Sequence, residues 1–239
     1  MFASVTEYGI VGRAFKNDIC RLLLINPRDF TSDPYQRVDD TSYGGGAGMV
    51  MKIEPLELAM QSAYLQQQEF LVKKPMRVCL SPQGQVLNQA LINQMSNEEG
   101  VIFVCGRYEG IDERFLETNI DLEVSVGDYV VSGGELPAML LIDAIVRQLA
   151  GVVNDSSSIT QDSFMHGLLD YPHYTKPQDY KGKKIPDVLL SGNHEQIKLW
   201  RLQMSLWRTF KRRPELLQSK NMTNIESRLL DEMIFKNQS

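Results

Sequence analysis

The sequence predicts an α/β protein with a mainly parallel sheet, followed by a smaller and mostly helical second domain. Two observations lead to this fold class. In the first 150 residues, short apolar runs alternate with stretches of helical periodicity, which is the order of βαβ units. Beyond a polar stretch around residue 155, the chain continues through an irregular Tyr- and Pro-containing segment into helical patterns. With 239 residues, the chain is long enough for a proper core.

Each element follows from a local pattern. The apolar runs predict strands at residues 20–25, 77–80, 101–105, 122–126 and 129–131. Helical spacing predicts helices at residues 56–70, 88–95, 111–118, 136–150, 195–212 and 224–235. The helix at 136–150 is apolar almost all the way round, so we expect it to be buried against both the sheet and a neighbour. A subunit interface is one way to bury it.

The chain divides where its composition changes. Residues 151–160 are dense in Ser, Asn and Asp, a composition that suits a linker. We therefore predict a domain at 1–150, a flexible linker at 151–168 and a helical domain at 169–239. In the last of these, Ile197, Trp200, Met204 and Trp207 recur at helical spacing, and we expect them to pack a core and not to stack on bases.

The composition is that of an ordinary soluble globular protein, with 43% apolar and 23% charged residues. The first residues lack the basic start and apolar core of a signal peptide. The best apolar run, residues 139–146, is short and is interrupted by Asp143, so no membrane span is expected. Cys20, Cys79 and Cys105 lie far apart, so we interpret them as buried free thiols in a reducing cytoplasm.

Charge is separated along the chain. Residues 98–143 contain eleven acidic and two basic residues, a net of −9, whereas residues 173–213 contain ten basic and three acidic, a net of +7. Such a division suggests separate duties, with the basic part facing a polyanion. A solvated helix face that happens to be rich in Lys and Arg would give the same counts, and composition alone leaves both open.

The run from Val126 to Pro137 is the most informative local feature. It leaves a predicted strand, turns at Gly127 and Asp128, and breaks again at Gly133 and Gly134 before a Pro-opened helix. A chain that bends twice among glycines can expose backbone N–H and C=O groups to a ligand. A purely structural turn between strand and helix is the alternative.

A second glycine-rich segment lies at residues 37–49, with four glycines among the five positions 44–48. Neither a tightly preceding strand nor a following GK[ST] is present, so the segment matches neither a Walker loop nor a dinucleotide fingerprint. A mobile lid and a passive surface loop both remain open.

Three further segments accompany the 126–137 run: Leu-Ser-Pro-Gln-Gly at 80–84, Cys-Gly-Arg-Tyr-Glu-Gly-Ile-Asp-Glu-Arg at 105–114, and Gln-Asp-Ser-Phe at 161–164. Each alone could be a turn after a strand. Together and in this order, they closely resemble the bacterial tRNA (guanine-N1)-methyltransferases of the TrmD type, in the SPOUT superfamily. The likeness runs from Met1 into residues 212–217 and so covers nearly the whole chain.

The resemblance implies an S-adenosylmethionine site in a trefoil knot made by three loops, here called the first loop (80–84), the second loop (106–110) and the third loop (126–137). The implied reaction transfers the methyl group to N1 of the guanine 3′ to the anticodon, tRNA position 37. Adenine would be held by main-chain groups around residues 126–131 with Gly106, and Tyr129 and Pro137 would wall the pocket. The residues implied in cofactor binding are Leu80, Ser81, Pro82, Gly106, Tyr108, Val126, Gly127, Asp128, Tyr129, Val130, Val131, Gly133, Gly134 and Pro137.

The reaction also defines what catalytic groups are needed. Guanine N1 carries a proton at neutral pH, so a general base must remove it as N1 attacks the methyl group. Asp162 matches the family's base, although it could otherwise be the N-cap of a following turn. Negative charge then builds on guanine O6, which a guanidinium would stabilise. Arg147 matches that role, although a cation near a helix C-terminus is also favoured by the dipole.

Glu109 matches a further important carboxylate of the family, linked to the cofactor or to the Mg²⁺ that the family requires. The resemblance also implies an antiparallel homodimer with the active site at the subunit interface. Its substrate would be tRNA, held by the helical C-terminal domain in the cytoplasm, with no role for DNA or a membrane. Another knotted methyltransferase acting on ribose or ribosomal RNA, and a non-catalytic RNA-binding relative, are the alternatives.

The resemblance has departures. Family members carry a strand and a Pro-Glu pair before the position of Met1, and we expect Met1 to be an internal methionine of a longer natural chain. Ala47 stands where a Pro is usual, and Val126 and Val131 replace other aliphatic residues. None of these smaller departures threatens the chemistry.

Overall fold

The protein was analysed as a computed structural model, which describes residues 1–70, 72–153 and 162–238. The chain forms two compact units, Met1–Asn154 and Asp155–Ser239. Among the described residues, no helix is both long and apolar enough to cross a membrane. Part of the predicted linker, residues 154–161, lies outside the described part of the chain.

The described residues of the first unit form six short to medium helices and six strands. The helices are α1 (Ala3–Thr6), α2 (Gly9–Lys16), α3 (Ile53–Gln68), α4 (Gln89–Ser96), α5 (Glu113–Asn119) and α6 (Glu135–Val146), with a 3-10 turn at Pro27–Phe30. The strands are β1 (Asp39–Asp40), β2 (Val50–Met51), β3 (Met76–Val86), β4 (Val101–Cys105), β5 (Gly110–Ile111) and β6 (Leu122–Ser125).

The central sheet of the first unit is parallel and has the order β4-β3-β6. Because successive side chains along a strand point to opposite faces of the sheet, the two faces of this sheet pack into two separate cores. Cys79 and Ile102 are buried on one face with α3 and α5, while Val78 and Val124 are buried on the other with α4 and α6. The predicted α/β class with mainly parallel pairing is confirmed.

A small second sheet joins the glycine-rich segment to the second loop. β2 pairs antiparallel with β1 and parallel with β5, so that Val50 lies opposite Gly110 and Met51 opposite Ile111. The Asp112 N–H also donates to the Met51 carbonyl, at 3.1 Å. These pairings hold residues 49–51 beside residues 109–112.

Two predicted strands are wrong. Residues 20–25 form no strand, because no described residue pairs with them; Leu24 is 64% exposed. This segment instead lines an apolar cavity of about 380 Å³ beside β4. Residues 129–131 are not a strand either, because the Tyr129 N–H donates to the Gly127 carbonyl at 2.9 Å and folds the chain back on itself. Val130 is left 88% exposed.

Helix α6 is shorter and more exposed than predicted. It buries Ala138, Leu141 and Ile142 in the unit's cores, but Leu136 and Leu140 are 49% and 47% exposed. The helix ends at Val146, and residues 147–150 form turns. The chain turns at Gly151, whose φ is +82°, and this lets Val152 pack back against the core of α2 and α6.

The second unit is mostly helical. It contains a hairpin of β7 (Asp179–Tyr180) and β8 (Lys183–Lys184), a 3-10 turn at Asp187–Leu190, and helices α7 (His194–Arg212), α8 (Pro214–Gln218) and α9 (Asn224–Gln238). Its core is built on Leu168, Leu206, Leu229 and Leu230.

The predicted apolar stripe on α7 is only partly a core. Trp207 packs against the buried leucines, but Ile197, Trp200 and Met204 are half-buried. The fully buried side chains of this helix are Leu206 and Thr209. The stripe was misplaced because a small polar side chain, Thr209, occupies the centre of the packed face.

Candidate functional site

A cavity of about 420 Å³ opens at the carboxyl ends of β4 and β6 and beside residues 79–83 in the middle of β3, where the three loops converge. This is the position at which parallel α/β sheets bind ligands, and the volume is within the usual range for small-molecule pockets. The first loop supplies Ser81 and Pro82, the second supplies Gly106 to Gly110, and the third supplies Val126 to Gly134 apart from Asp128.

The structure brings together nearly all residues of the sequence-predicted cofactor site. Those lining the cavity are Leu80, Ser81, Pro82, Gly106, Tyr108, Val126, Gly127, Tyr129, Val130, Val131, Gly133, Gly134 and Pro137. Asp128 is exposed and is not among the lining residues, because it lies at the tip of the turn that Gly127 begins. Sequence reasoning gave no role to Arg107 and Ser132, which also line the cavity. Arg107 lies inside the motif of the second loop, and that position was the one sequence signal that could have predicted its place in the cavity wall.

The third loop is shaped by its own hydrogen bonds. The Gly127 carbonyl accepts from the Tyr129 N–H at 2.9 Å and from the Ser125 hydroxyl at 3.2 Å. The Gly127 N–H donates to Ser125 Oγ at 3.2 Å, and the Tyr129 hydroxyl donates to the Val126 carbonyl at 3.3 Å. The expectation of bare backbone is therefore wrong at residues 126–127, where short-range bonds already hold the turn.

Gly127 is required at this turn for two reasons. Its φ of +140° is a region that side chains rarely adopt. A Cβ there would also lie 2.7 Å from Cε1 of Tyr129. The tyrosine ring therefore packs directly on the glycine, and the pair forms one rigid wall of the cavity.

Tyr108 occupies a strained position in the second loop. Its φ is +61°, in the left-handed region that is uncommon for a residue other than glycine. Its hydroxyl accepts a hydrogen bond from an Arg28 terminal nitrogen at 3.0 Å, while the other terminal nitrogen of Arg28 donates to the Gln36 carbonyl at 2.8 Å. The strained conformation is thus held from outside the cavity.

The glycine-rich segment packs on Glu109. A Cβ at Gly48 would lie 2.4 Å from Cγ of Glu109, and the Glu109 N–H donates to the Met49 carbonyl at 3.0 Å. Glu109 itself lines the cavity. The end of the segment therefore positions a carboxylate of the cavity wall, which neither of the two sequence interpretations had foreseen.

The three thiols differ in exposure. Cys79 is buried, and burial raises the pKa of its thiol to about 12. Cys105, at the end of β4, is half-buried; burial, with a contribution from Glu135, raises the pKa of its thiol to about 12. The prediction of burial is confirmed for Cys79 but wrong for Cys105 and Cys20, which are both half-buried; Cys20 begins the unpaired segment 20–25.

Arg147 lies at the other end of α6 from the cavity. It is the half-buried C-cap of that helix and is not among the lining residues. Pro137, which does line the cavity, is ten residues earlier, or about 15 Å along an α-helix. One chain therefore does not bring Arg147 to its own cavity.

Asp162 belongs to the second unit, where it lines a separate cavity of about 470 Å³. Its side chain is half-buried. Lys198, Arg201 and His166 line the same cavity, and the Arg201 guanidinium lies 4.8 Å from the centre of the Tyr171 ring. The second unit thus places a carboxylate beside cationic and aromatic groups.

No three His, Cys, Asp or Glu side chains come together to hold a metal ion within the described residues. The expectation of Mg²⁺ is therefore unsupported, and the chain's own carboxylates do not form a metal cage there.

The parallel sheet and its convergent loops define an α/β protein with a cavity of small-ligand size beside its strands. Comparison with known families identifies which one. The profile described as tRNA (Guanine-1)-methyltransferase TrmD matches residues 1–219, and this chain belongs to that family.

Similar proteins carry the same description over nearly their whole length. The tRNA (guanine-N(1)-)-methyltransferase of Chromobacterium violaceum is 55% identical over 232 residues, covering 97% of this chain and 91% of that protein. Those of Stutzerimonas stutzeri and Nitrosospira multiformis are both 53% identical, each covering 97–98% of this chain and 92% of the relative.

Proposed function

We propose that this protein transfers a methyl group from S-adenosylmethionine to N1 of a guanine in tRNA, namely the guanine 3′ to the anticodon at position 37. The single observation that carries the proposal is the convergence of the three family motifs on one cavity of about 420 Å³. A family match across residues 1–219 supports the same activity. The first unit would bind the methyl donor and the second unit the tRNA.

The cavity suits the donor. Apolar side chains such as Val131 and Pro137 can cover an adenine ring, and the backbone of the glycine-rich second and third loops can approach its polar edge. The bound donor supplies a methyl group activated by its sulfonium. The chain's own contribution is to hold that group still, since the third loop is already fixed by the Ser125–Gly127–Tyr129 hydrogen bonds.

Asp162 is proposed as the general base. Guanine N1 attacks the methyl carbon while its proton passes to an Asp162 carboxylate oxygen, the carbon–sulfur bond breaks, and S-adenosylhomocysteine leaves. The base must lie within hydrogen-bond reach of N1 in the tRNA complex. Arg147 is proposed to stabilise the charge that builds on O6, and Glu109 to shape the cavity wall beside the donor.

A homodimer would bring Arg147 to the site. Arg147 is about 15 Å along α6 from Pro137 of its own cavity, and the same helix exposes Leu136 and Leu140. Two copies of α6 packed antiparallel would cover these leucines and set each Arg147 beside the start of the partner's helix. We therefore propose an active site shared between subunits.

A trefoil knot is proposed for the three loops. The pairing of β3 with β6 shifts register between Leu80 and Gln85, so the first loop leaves the sheet and rejoins it. The third loop returns to β4, where the Gly134 N–H donates to the Gly106 carbonyl at 2.8 Å. Such close crossings of three loops support a knotted path.

The second unit is proposed to hold the tRNA. Its long helix α7 exposes Lys198, Arg201, Lys211 and Arg212, and cationic side chains on one helix are the usual means of contacting phosphates. Binding should therefore weaken steeply as salt concentration rises.

Methyl transfer to tRNA transcripts tests the activity directly. The protein is incubated with labelled donor and either a transcript carrying guanine at position 37 or a matched transcript with adenine there. We expect 1-methylguanine, identified after nuclease digestion, from the first transcript alone. Label in ribose or in ribosomal RNA would favour a different knotted methyltransferase, and tRNA binding without transfer would favour a non-catalytic protein.

Mixed dimers test the shared site. One subunit carries Arg147→Ala, and the other carries Gly134→Ala, whose Cβ would lie 2.7 Å from Cys105 Cα and so disable its own cavity. If Arg147 serves the partner's cavity, the mixture regains activity, because the intact cavity meets an intact Arg147. If each Arg147 serves its own cavity, the mixture stays inactive like both parents.

A further inference from the structure

The wall between the second and third loops is closed by an ion pair to which neither the motif nor the proposed chemistry assigns a role. Nε of Arg107 donates to Oε1 of Glu135 at 2.8 Å, and a terminal nitrogen of Arg107 donates to the Ser132 carbonyl at 3.4 Å. Arg107 and Ser132 line the cavity, and Glu135 opens helix α6. One side chain of the second loop thus binds both the third loop and the helix after it.

The backbone has been shaped around this pair. A Cβ at Gly133 would lie 2.6 Å from Oε2 of Glu135 and 2.7 Å from Cδ and Nε of Arg107. The φ of Gly133 is not in the left-handed region, so an alanine there is conformationally allowed. Space for the ion pair, and not backbone geometry, is therefore what requires a glycine at this position.

The pair is also more protected than a typical surface ion pair. The Glu135 side chain is only 23% exposed and that of Arg107 is 43% exposed. The backbone N–H of Arg107 donates to the sulfur of Met51, which lies on the small second sheet, at 3.3 Å. Arg107 is consequently held at both its backbone and its guanidinium.

We propose that Arg107, Glu135 and Gly133 form a clasp that sets the distance between the second and third loops and so determines the affinity for the methyl donor. Arg107 and Glu135 are positioning residues, because they act through the loops they join. The inference rests on the proposed function, since it takes the cavity to be the donor site.

The clasp predicts a specific pattern of kinetic effects. Arg107→Met and Glu135→Gln each loosen the cavity before the donor arrives. We expect each change to raise the KM for S-adenosylmethionine and the Kd for S-adenosylhomocysteine about 5- to 20-fold, since hydrogen bonds to charged groups are the strong ones. The kcat at saturating donor should stay within about twofold, because donor binding restores the loop spacing.

The test is a double-mutant cycle by calorimetric titration of S-adenosylhomocysteine into the full-length protein. Gly133→Ala should weaken binding in the wild-type background, and its effect should be clearly smaller in an Arg107→Ala background, where the guanidinium that it displaces is gone and Glu135 is no longer held in place. Arg114→Met is the matched control: Arg114 makes a similar ion pair with Asp112 at 2.7 Å, and neither residue lines the cavity. This control should leave the Kd unchanged.

The possible outcomes distinguish a failure of the clasp from a failure of the proposed donor site. Equal Kd values for wild type, Arg107→Met and Gly133→Ala would overturn the clasp, and so would Arg107→Ala and Gly133→Ala effects that multiply fully in the double variant. A fall in kcat with an unchanged KM would also contradict it. A wild-type protein that binds no S-adenosylhomocysteine would overturn the proposed donor site itself, and the clasp with it.

Discussion

Gly84 and Glu123 are in direct backbone contact. A Cβ built on Gly84 would lie 2.3 Å from the carbonyl carbon of Glu123 and 2.4 Å from the Val124 nitrogen. No side-chain movement can relieve this, because the atoms opposite belong to the main chain of β6. The first loop therefore crosses the last strand of the sheet with no space between them.

Gly84→Ala should accordingly destabilise the first unit. Forcing a methyl group against backbone costs about 1–3 kcal/mol, and thermal or urea unfolding would measure it. Gly106→Ala is a control for stability, because its Cβ would meet only the Ile111 side chain, at 3.4 Å. Equal stability of the two variants would show that the crossing is looser than described.

The ion pair between Arg77 and Asp121 should make the stability of the folded protein depend on pH. Hydrogen bonds from the Arg77 guanidinium hold the pKa of the Asp121 carboxyl below its usual range, and the Arg77 N–H donates to the same carboxylate at 2.8 Å. Because the folded-state pKa is depressed, this stabilisation is fully present above the unfolded pKa of about 3.9. It is lost as pH falls through the folded value.

Asp121→Asn should therefore lower the melting temperature at pH 7, by an amount corresponding to about 0.5–1 kcal/mol for a partly exposed pair. The difference between wild type and variant should shrink as the pH is lowered below about 4. Melting curves at a series of pH values would check this. A difference that stays constant down to pH 2.5 would contradict the assignment.

Removing the hydroxyl of Thr209 should lower the free energy of unfolding of the second unit. Its fully buried hydroxyl donates to the Ser205 carbonyl at 2.7 Å and accepts from the Leu169 N–H at 2.9 Å. Thr209→Val has the same shape but leaves the Leu169 N–H without its acceptor, which costs about 1–3 kcal/mol. Thr209→Ser keeps the hydroxyl and is the control; chemical unfolding of the two variants should rank valine as the less stable.

The thiol pKa values predict slow alkylation. Cys79 and Cys105 have pKa values raised to about 12, so both are protonated at pH 8, and the thiolate is the reactive form. Iodoacetamide should leave both unmodified in the native protein and modify both in denaturant, as mass spectrometry of peptides would show. Rapid native labelling of Cys79 would contradict its burial.

The sequence was most predictive where periodicity and flanking residues agreed. The helix predicted at 56–70 is α3, and the strand predicted at 101–105 is β4, because both carry one unambiguous apolar pattern. Residues 20–25 have an equally apolar pattern but no described partner strand, and pairing is not visible in a local window. Residues 129–131 were misassigned because the tyrosine N–H bonds back to Gly127.

Residues of the candidate site could be predicted from the sequence only where they belong to one of its motifs. Tyr108 belongs to the 105–114 motif and Gly134 to the 126–137 run, and both line the cavity. The roles of Arg107 and Gly48 depend on contacts with residues 28 and 61 positions away, Glu135 and Glu109. Contacts across such separations follow from the tertiary fold, which spacing in the sequence does not reveal.

Asp162 is the proposed base for the methylation of guanine N1. The most direct measurement is the single-turnover rate of methyl transfer by Asp162→Asn at saturating tRNA and S-adenosylmethionine. We predict that the rate falls about 10²- to 10⁴-fold, the usual contribution of a general base, while the Kd for S-adenosylhomocysteine stays at its wild-type value. A variant that transfers methyl groups at the wild-type rate would show that Asp162 is not the base.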